Sequence, residues 1–171
     1  PWFHVVRGKH EQMAIDANDP YNSEAADCLF MNGGQWFFRE NHNKQKEIAF
    51  AFECLPFMIE VLTPSGVSFG IVHADVPFND WNKTKECLYQ EDAQVKNYLT
   101  WSRDRVNGFT QGGVVGVDYL VVGHTPLPEY QQENNVLRLD TGAVFEGKYS
   151  EYEKGLTMLN LHTMEVIYEH P

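Results

Sequence analysis

Three of the seven histidines stand just past apolar runs. Phe69-Gly-Ile-Val leads into His73-Ala-Asp75, Tyr119-Leu-Val-Val-Gly123 leads into His124-Thr125, and the largely apolar stretch 2–8 leads into Lys9-His10-Glu11. A buried strand that delivers an imidazole at its carboxyl end is a common way for an α/β protein to set a metal ligand or a catalytic base in a crevice. One histidine so placed is usually a hydrogen-bonded structural residue, whereas three such ends point to a metal or an acid–base site. Imidazole suits zinc, manganese, iron or nickel, and two imidazoles from separate strands are a usual part of a hydrolytic metal centre. A two-metal hydrolase also needs carboxylates, at least one of them bridging, to hold its ions about 3.5–4 Å apart. Asp75, Asp140 and Glu11 are the carboxylates beside the three ends, and none is an obvious bridge. The pattern by itself asks for a metal-dependent hydrolase with part of its ligand set.

The elements that position these residues follow from apolar periodicity and chain breakers. Residues 2–7 read as a buried strand, with Gly8 allowing the turn after it. Residues 11–17 are helical in composition, which puts His10 at or just before a helix N-terminus. There the helix dipole favours a bound anion and disfavours the imidazolium; a histidine that only caps the helix fits equally. Ser23 is a plausible N-cap for a short helix through residue 30. The aromatic cluster 35–38 reads as core, with a cleft wall as the alternative. Residues 44–55 carry Ile48, Ala51, Phe52 and Leu55 at helical spacing, and Pro56 stops them. Residues 57–62 and 67–73 form a hairpin around Thr63-Pro-Ser-Gly66 that delivers His73.

The polar stretch 76–91 reads as a surface loop over a crevice. Residues 92–106 look helical, with Val95, Tyr98, Leu99 and Trp101 as apolar positions and Arg103 and Arg105 near the end. Those arginines would satisfy the C-terminal dipole, or Arg103 would aim its guanidinium fork at a phosphate. Short strands over 119–123 and 136–139 end at His124 and Asp140, and residues 156–161 and 166–169 read as a closing hairpin. His42, His162 and His170 lie in polar surroundings away from these ends. With no repeat, low-complexity tract or linker, residues 1–171 read as one domain.

Length and composition agree with that reading. The chain has 171 residues, of which 43% are hydrophobic, enough for one core. A net charge of −11 argues against nucleic acid and against an anionic membrane surface as partners, since both recruit clustered positive charge. Cys28, Cys54 and Cys87 are odd in number and far apart, so a disulfide framework or zinc ribbon is not indicated and a reducing, cytoplasmic setting is expected. No stretch approaches the roughly 20 apolar residues of a membrane span, and no signal peptide opens the chain. The chain opens on Pro1 rather than methionine, which suggests a fragment.

The motifs, taken together, resemble a known family. Arg7-Gly-Lys-His10-Glu11 is similar to the Gly-Asn-His-Glu motif of the phosphoprotein phosphatase branch of the calcineurin-like metallophosphoesterases. His73-Ala-Asp75, Trp101-Ser-Arg103-Asp-Arg105, Gly123-His-Thr-Pro126 and Asp140-Thr-Gly-Ala143-Val-Phe145 resemble the later motifs of its bacteriophage lambda-type and bacterial members, in order and over nearly the whole chain. The resemblance implies an α/β fold, a metallophosphoesterase-type β-sandwich flanked by helices, here lacking its N-terminal strands. It implies a site for two divalent ions, most often manganese, with iron, zinc or nickel as alternatives.

By matching position, the resemblance makes His73 and His124 metal ligands, His10 the general acid, Arg103 a phosphate clamp, and Arg7 a supporting residue or a partner of a nearby carboxylate. The implied reaction is attack of a metal-bridging hydroxide on a phosphoserine or phosphothreonine ester of a protein. Two departures accompany the match. The family's opening motifs, Gly-Asp-x-His-Gly and Gly-Asp-x-x-Asp-Arg-Gly, precede the first residue here, and with them the remaining ligands of the first metal. Lys9 stands where the family has a ligating asparagine, and a protonated lysine has no lone pair to offer a metal. A bis(nucleosyl)-tetraphosphate hydrolase of the same superfamily, and a pseudophosphatase that binds phosphorylated partners without turnover, are the alternative functions.

Overall fold

The computed structural model describes residues 2–145 and 155–169, in which the chain divides into two compact units, Pro1–Phe57 and Met58–Pro171. The first unit is helical. Its helix α1, Lys9–Ala17, begins at Gly8, whose amide donates to Glu11 Oε2 at 2.9 Å, and it buries Met13 and Ala14. This carboxylate therefore serves one of the orphan donors at the helix start. Helix α2, Ser23–Met31, is capped by Asn22, which accepts from the Ala25 amide at 3.1 Å, one residue before the expected cap at Ser23. Gly33 then turns the chain at φ +94°, and Gly34 opens a 3-10 helix, Gly34–Arg39. A Cβ on Gly34 would lie 2.3 Å from the Leu29 side chain, so only glycine permits this approach.

Within the aromatic cluster Phe37 is fully buried, while Trp36 and Phe38 are exposed, because a 3-10 turn cannot aim three consecutive side chains inward. Helix α3, His42–Glu53, is capped by Asn41 and buries Ala49, with Ile48 and Phe52 half-buried and Ala51 exposed.

The expected buried strand over residues 2–7 does not form. Trp2 is 94% exposed, and the backbone there is in no ladder. A strand exists only through its neighbours, and the backbone bond recorded for this segment among the described residues, Arg7 N to Pro56 O at 2.7 Å, is no part of a ladder.

The second unit is built on a mixed sheet. Strands β1, Met58–Leu62, and β2, Ser68–Val72, form the expected antiparallel hairpin. Strand β3, Tyr119–Val122, pairs parallel with β2; β5, Val136–Arg138, pairs parallel with β3; and the short β4, Gln131–Glu133, closes the far edge antiparallel to β5. The order is β1-β2-β3-β5-β4, and a separate hairpin pairs β6, Leu156–Leu159, with β7, Val166–Glu169. Phe69, Val121 and Leu137, one from each parallel strand, form a continuous buried cluster. The architecture is α/β and compatible with a truncated metallophosphoesterase fold.

Residues 76–91 are not all loop. Helix α4, Trp81–Tyr89, starts at Asp80, which accepts from the Lys83 amide at 3.0 Å. It buries Trp81 and Thr84 completely and half-buries Lys85 and Leu88, a narrow inward stripe that its polar composition conceals. The Trp81 indole lies against Gly70 of β2, where an added Cβ would come within 2.6 Å of the ring. Gly70→Ala is therefore expected to cost about 1–3 kcal/mol through overpacking, read as a lower midpoint in chemical denaturation. Helix α5, Ala93–Trp101, ends earlier than expected because Ser102 turns to extended backbone. Arg103 and Arg105 consequently sit on a loop rather than on the last helical turn.

Candidate active site

Residues that follow β2, β3 and β5 emerge at the carboxyl ends of three adjacent parallel strands, the edge at which α/β sheets place ligands. His73 follows β2, His124 follows β3, and Asp140 follows β5, so strand order turns three distant positions into neighbours. The Gly123 amide donates to His73 O at 3.0 Å and extends the parallel pairing to the base of both histidines. His124 itself is held at φ +69°, a left-handed conformation that few non-glycine residues adopt, histidine being among those enriched there, and one that clusters at functional sites. His73 Nε2 and His124 Nδ1 face each other at 3.1 Å, with ring centroids 4.9 Å apart. The two imidazoles open onto a pocket lined also by Leu139, Asp140, Thr141 and Thr157.

The spacing of the two nitrogens suits a divalent ion. With metal–nitrogen bonds of about 2.1 Å, two ligands of one ion lie roughly 3.0 Å apart at octahedral angles and 3.4 Å apart at tetrahedral angles. The pair at 3.1 Å falls within this range. Among the described residues no group of three histidines, cysteines or carboxylates is assembled to hold a metal ion. Asp140 Oδ1 accepts from the Gly142 amide at 2.9 Å, which fixes the carboxylate in a turn at the pocket wall.

Arg103 lies exposed on the loop after α5, at a second pocket lined by Asp75, Ser102, Arg105, Gly123 and Thr125. Two residues further on, Arg105 is buried. Its Nε donates to Asp75 Oδ1 at 3.1 Å, Nη1 to Gly112 O at 2.7 Å and Nη2 to Asn79 Oδ1 at 2.5 Å. Both side chains of the Asp75–Arg105 pair are only 4% exposed. Burial pushes the Asp75 carboxyl above its usual range, against the pull of the Arg105 guanidinium and of the Val76 amide. Sequence reasoning treated Asp75 as a carboxylate near a ligand and Arg105 as a helix-end cation. The signal available for their pairing was weak: each stands two residues from a site residue, His73 or Arg103.

The remaining site candidates belong to the helical unit. His10 is the second residue of α1, and its Nε2 lies 3.0 Å from Asn32 O. Lys9 Nζ donates to Asn32 Oδ1 at 3.1 Å. Arg7 donates to the Glu53 carbonyl and, at 3.3 Å, to Gln12 Oε1, and its guanidinium stacks 4.3 Å above the Phe57 ring. Glu11, one of the three carboxylates beside the apolar-run ends, accepts from the Gly8 amide at the start of α1.

No family model matches the chain. Among curated proteins, it is 39% identical over 152 residues to "Serine/threonine-protein phosphatase 1" of Salmonella typhimurium, an alignment covering 86% of this chain and 64% of that protein. It is 32% identical over 159 residues to "Serine/threonine-protein phosphatase 2" of Escherichia coli, covering 90% of this chain and 68% of the relative. The protein of the same name from Salmonella typhimurium is 30% identical over the same shares. The chain thus spans about two thirds of the length of these relatives.

Proposed function

The chain belongs to the serine/threonine-protein phosphatase family, and we propose that it takes part in the metal-dependent hydrolysis of phosphoserine and phosphothreonine esters in proteins. The observation that carries this reading is the His73–His124 pair, with its nitrogens 3.1 Å apart past the ends of adjacent parallel strands. His73 and His124 would hold a divalent ion, manganese before iron, zinc or nickel. When bound, such ions supply Lewis acidity at a phosphoryl oxygen and a water that is deprotonated near neutral pH. Arg103 binds phosphate oxygens, a task for which its planar, permanently charged fork is suited. His10 holds a proton for the leaving alcohol, and Arg7 supports the turn that opens α1.

The substrate is a phosphorylated protein or a small phosphoester. The net charge of −11 disfavours a nucleic-acid partner, and a cytoplasmic setting suits the cysteine pattern. No described helix is long and apolar enough to cross a membrane. The test is release of inorganic phosphate from a phosphoserine peptide by the complete protein. Turnover with manganese, loss on chelation and recovery on adding the ion back are expected. Equal turnover in chelator would refute the metal-dependent reading.

Lys9 gives a second reading its specific motive. If its charge in place of the family's asparagine depresses metal loading, Lys9→Asn in the complete protein is expected to raise manganese-dependent turnover roughly tenfold or more. Robust turnover with Lys9 in place would sink the alternative that the protein binds phosphorylated partners without hydrolysing them.

A further inference from the structure

We propose that the buried Asp75–Arg105 pair is a positioning device that sets Arg103 relative to His73; this rests on the assignment of Arg103 as a phosphate-binding residue. The pair ties together two segments that the chain separates by some thirty residues, as Arg105 Nε reaches Asp75 Oδ1 at 3.1 Å. Asp75 is two residues beyond His73, and Arg105 is two residues beyond Arg103. Two residues span at most about 7 Å of extended chain. The pair therefore restrains both site residues at short range.

The Arg105 fork is fully specified. Its three nitrogens bond a carboxylate, the Gly112 carbonyl and the Asn79 amide oxygen, so the guanidinium has a fixed plane as well as a fixed place. Backbone bonds reinforce the same junction: the Ala74 amide donates to Leu99 O at 2.9 Å, beside the end of α5 from which the Arg103 loop departs. Within the loop, the Asp104 amide donates to Ser102 Oγ, and the Asn107 amide donates to Arg103 O at 2.9 Å. Arg103, by contrast, is exposed and makes no side-chain hydrogen bond among the described residues, leaving its fork available. The arrangement separates two tasks between neighbouring arginines. Arg105 is spent on structure, and Arg103 is presented.

Arg105 also offsets the negative charge of Asp75 in the pocket that Arg103 lines, where an uncompensated carboxylate would repel an anion. Lysine keeps the charge at position 105 but lacks the planar fork, so Arg105→Lys isolates orientation from charge.

The experiment measures inorganic phosphate affinity by calorimetry for the full chain and for Arg103→Ala, Arg105→Lys and the double variant, with the thermal transition of each recorded. Arg105→Lys is expected to weaken phosphate binding about tenfold, as Arg103→Ala does, and the double variant no further. A tenfold loss in Arg103→Ala with wild-type affinity in Arg105→Lys would overturn the positioning role and leave the Arg103 assignment standing. Wild-type affinity in Arg103→Ala would overturn that assignment and the proposal with it. Additive losses in the double variant would also overturn the proposal, since they mean that the two arginines act separately. If Arg105→Lys does not fold, Asn79→Gly decides. Glycine suits the φ of +52° at that position and removes one of the three anchors, so a loss of about threefold supports the proposal and unchanged affinity refutes it.

Discussion

Replacing His124 with alanine is expected to lower manganese-dependent hydrolysis of a phosphoserine peptide by at least about 100-fold. Changing groups that merely orient a metal ligand typically costs 10- to 100-fold in affinity or activity, so removing a ligand itself should cost no less. His124 is also held at φ +69° where β3 ends, a conformation that the surrounding sheet must maintain. Alanine keeps the Cβ, so the substitution does not relieve the backbone strain at that φ, and because the ring borders an open pocket the fold is expected to survive its loss. Turnover assayed across a manganese titration separates the possibilities. A loss that saturating metal fails to restore, with an unchanged thermal transition, is the expected outcome. Activity within a few-fold of the parent would remove His124 from the site.

The second large effect is on stability. Arg105→Met leaves the Asp75 carboxylate in a pocket where both partners are now 4% exposed, and breaking such a buried pair typically costs about 3–5 kcal/mol. The neighbouring Gly112 carbonyl and Asn79 side chain lose their donor at the same time, which places the cost toward the upper part of that range. Asp75→Leu combined with Arg105→Met removes both charges and is expected to recover most of the loss, because well-packed apolar replacements of buried pairs are often neutral. Denaturant midpoints for the two singles and the double measure the coupling directly. A single-variant cost below about 1 kcal/mol would show that solvent reaches the pair.

How far the sequence revealed these features depended on how local their causes were. The hairpin carrying His73 was legible because alternating apolar residues flank Thr63-Pro-Ser-Gly66, whose Gly66 adopts φ +85°. The strand ends carrying His124 and Asp140 were legible for similar reasons, since short apolar runs break at glycine or aspartate. That His73 and His124 share one edge was legible only through the family resemblance, and that Asp140 joins them was not legible, because strand order is set by packing between segments and not by any one segment.

Local composition misled in two places. Residues 2–7 have strand-like residues but pair with no described strand, and Trp2 is left in solvent. Residues 81–89 look like loop because one tryptophan and a buried threonine carry nearly all of the inward face, yet Asp80 supplies an ordinary N-cap. The Asp75–Arg105 pair was invisible for a different reason. A long-range ion pair leaves no periodicity in sequence, and Arg105 stood in what looked like a helix end until Ser102 proved to terminate α5 at Trp101.

If His73 and His124 together hold a divalent ion, as proposed, substoichiometric manganese will reveal it through paramagnetic broadening of the histidine ring signals. The method registers weak as well as tight binding and does not depend on turnover. The signals of His73 and His124 are expected to broaden first and together, before those of His4, His42 and His162, and His73→Ala is expected to abolish the selective effect at His124. Uniform broadening of all histidines, or selective broadening that leaves this pair sharp, would contradict the claim.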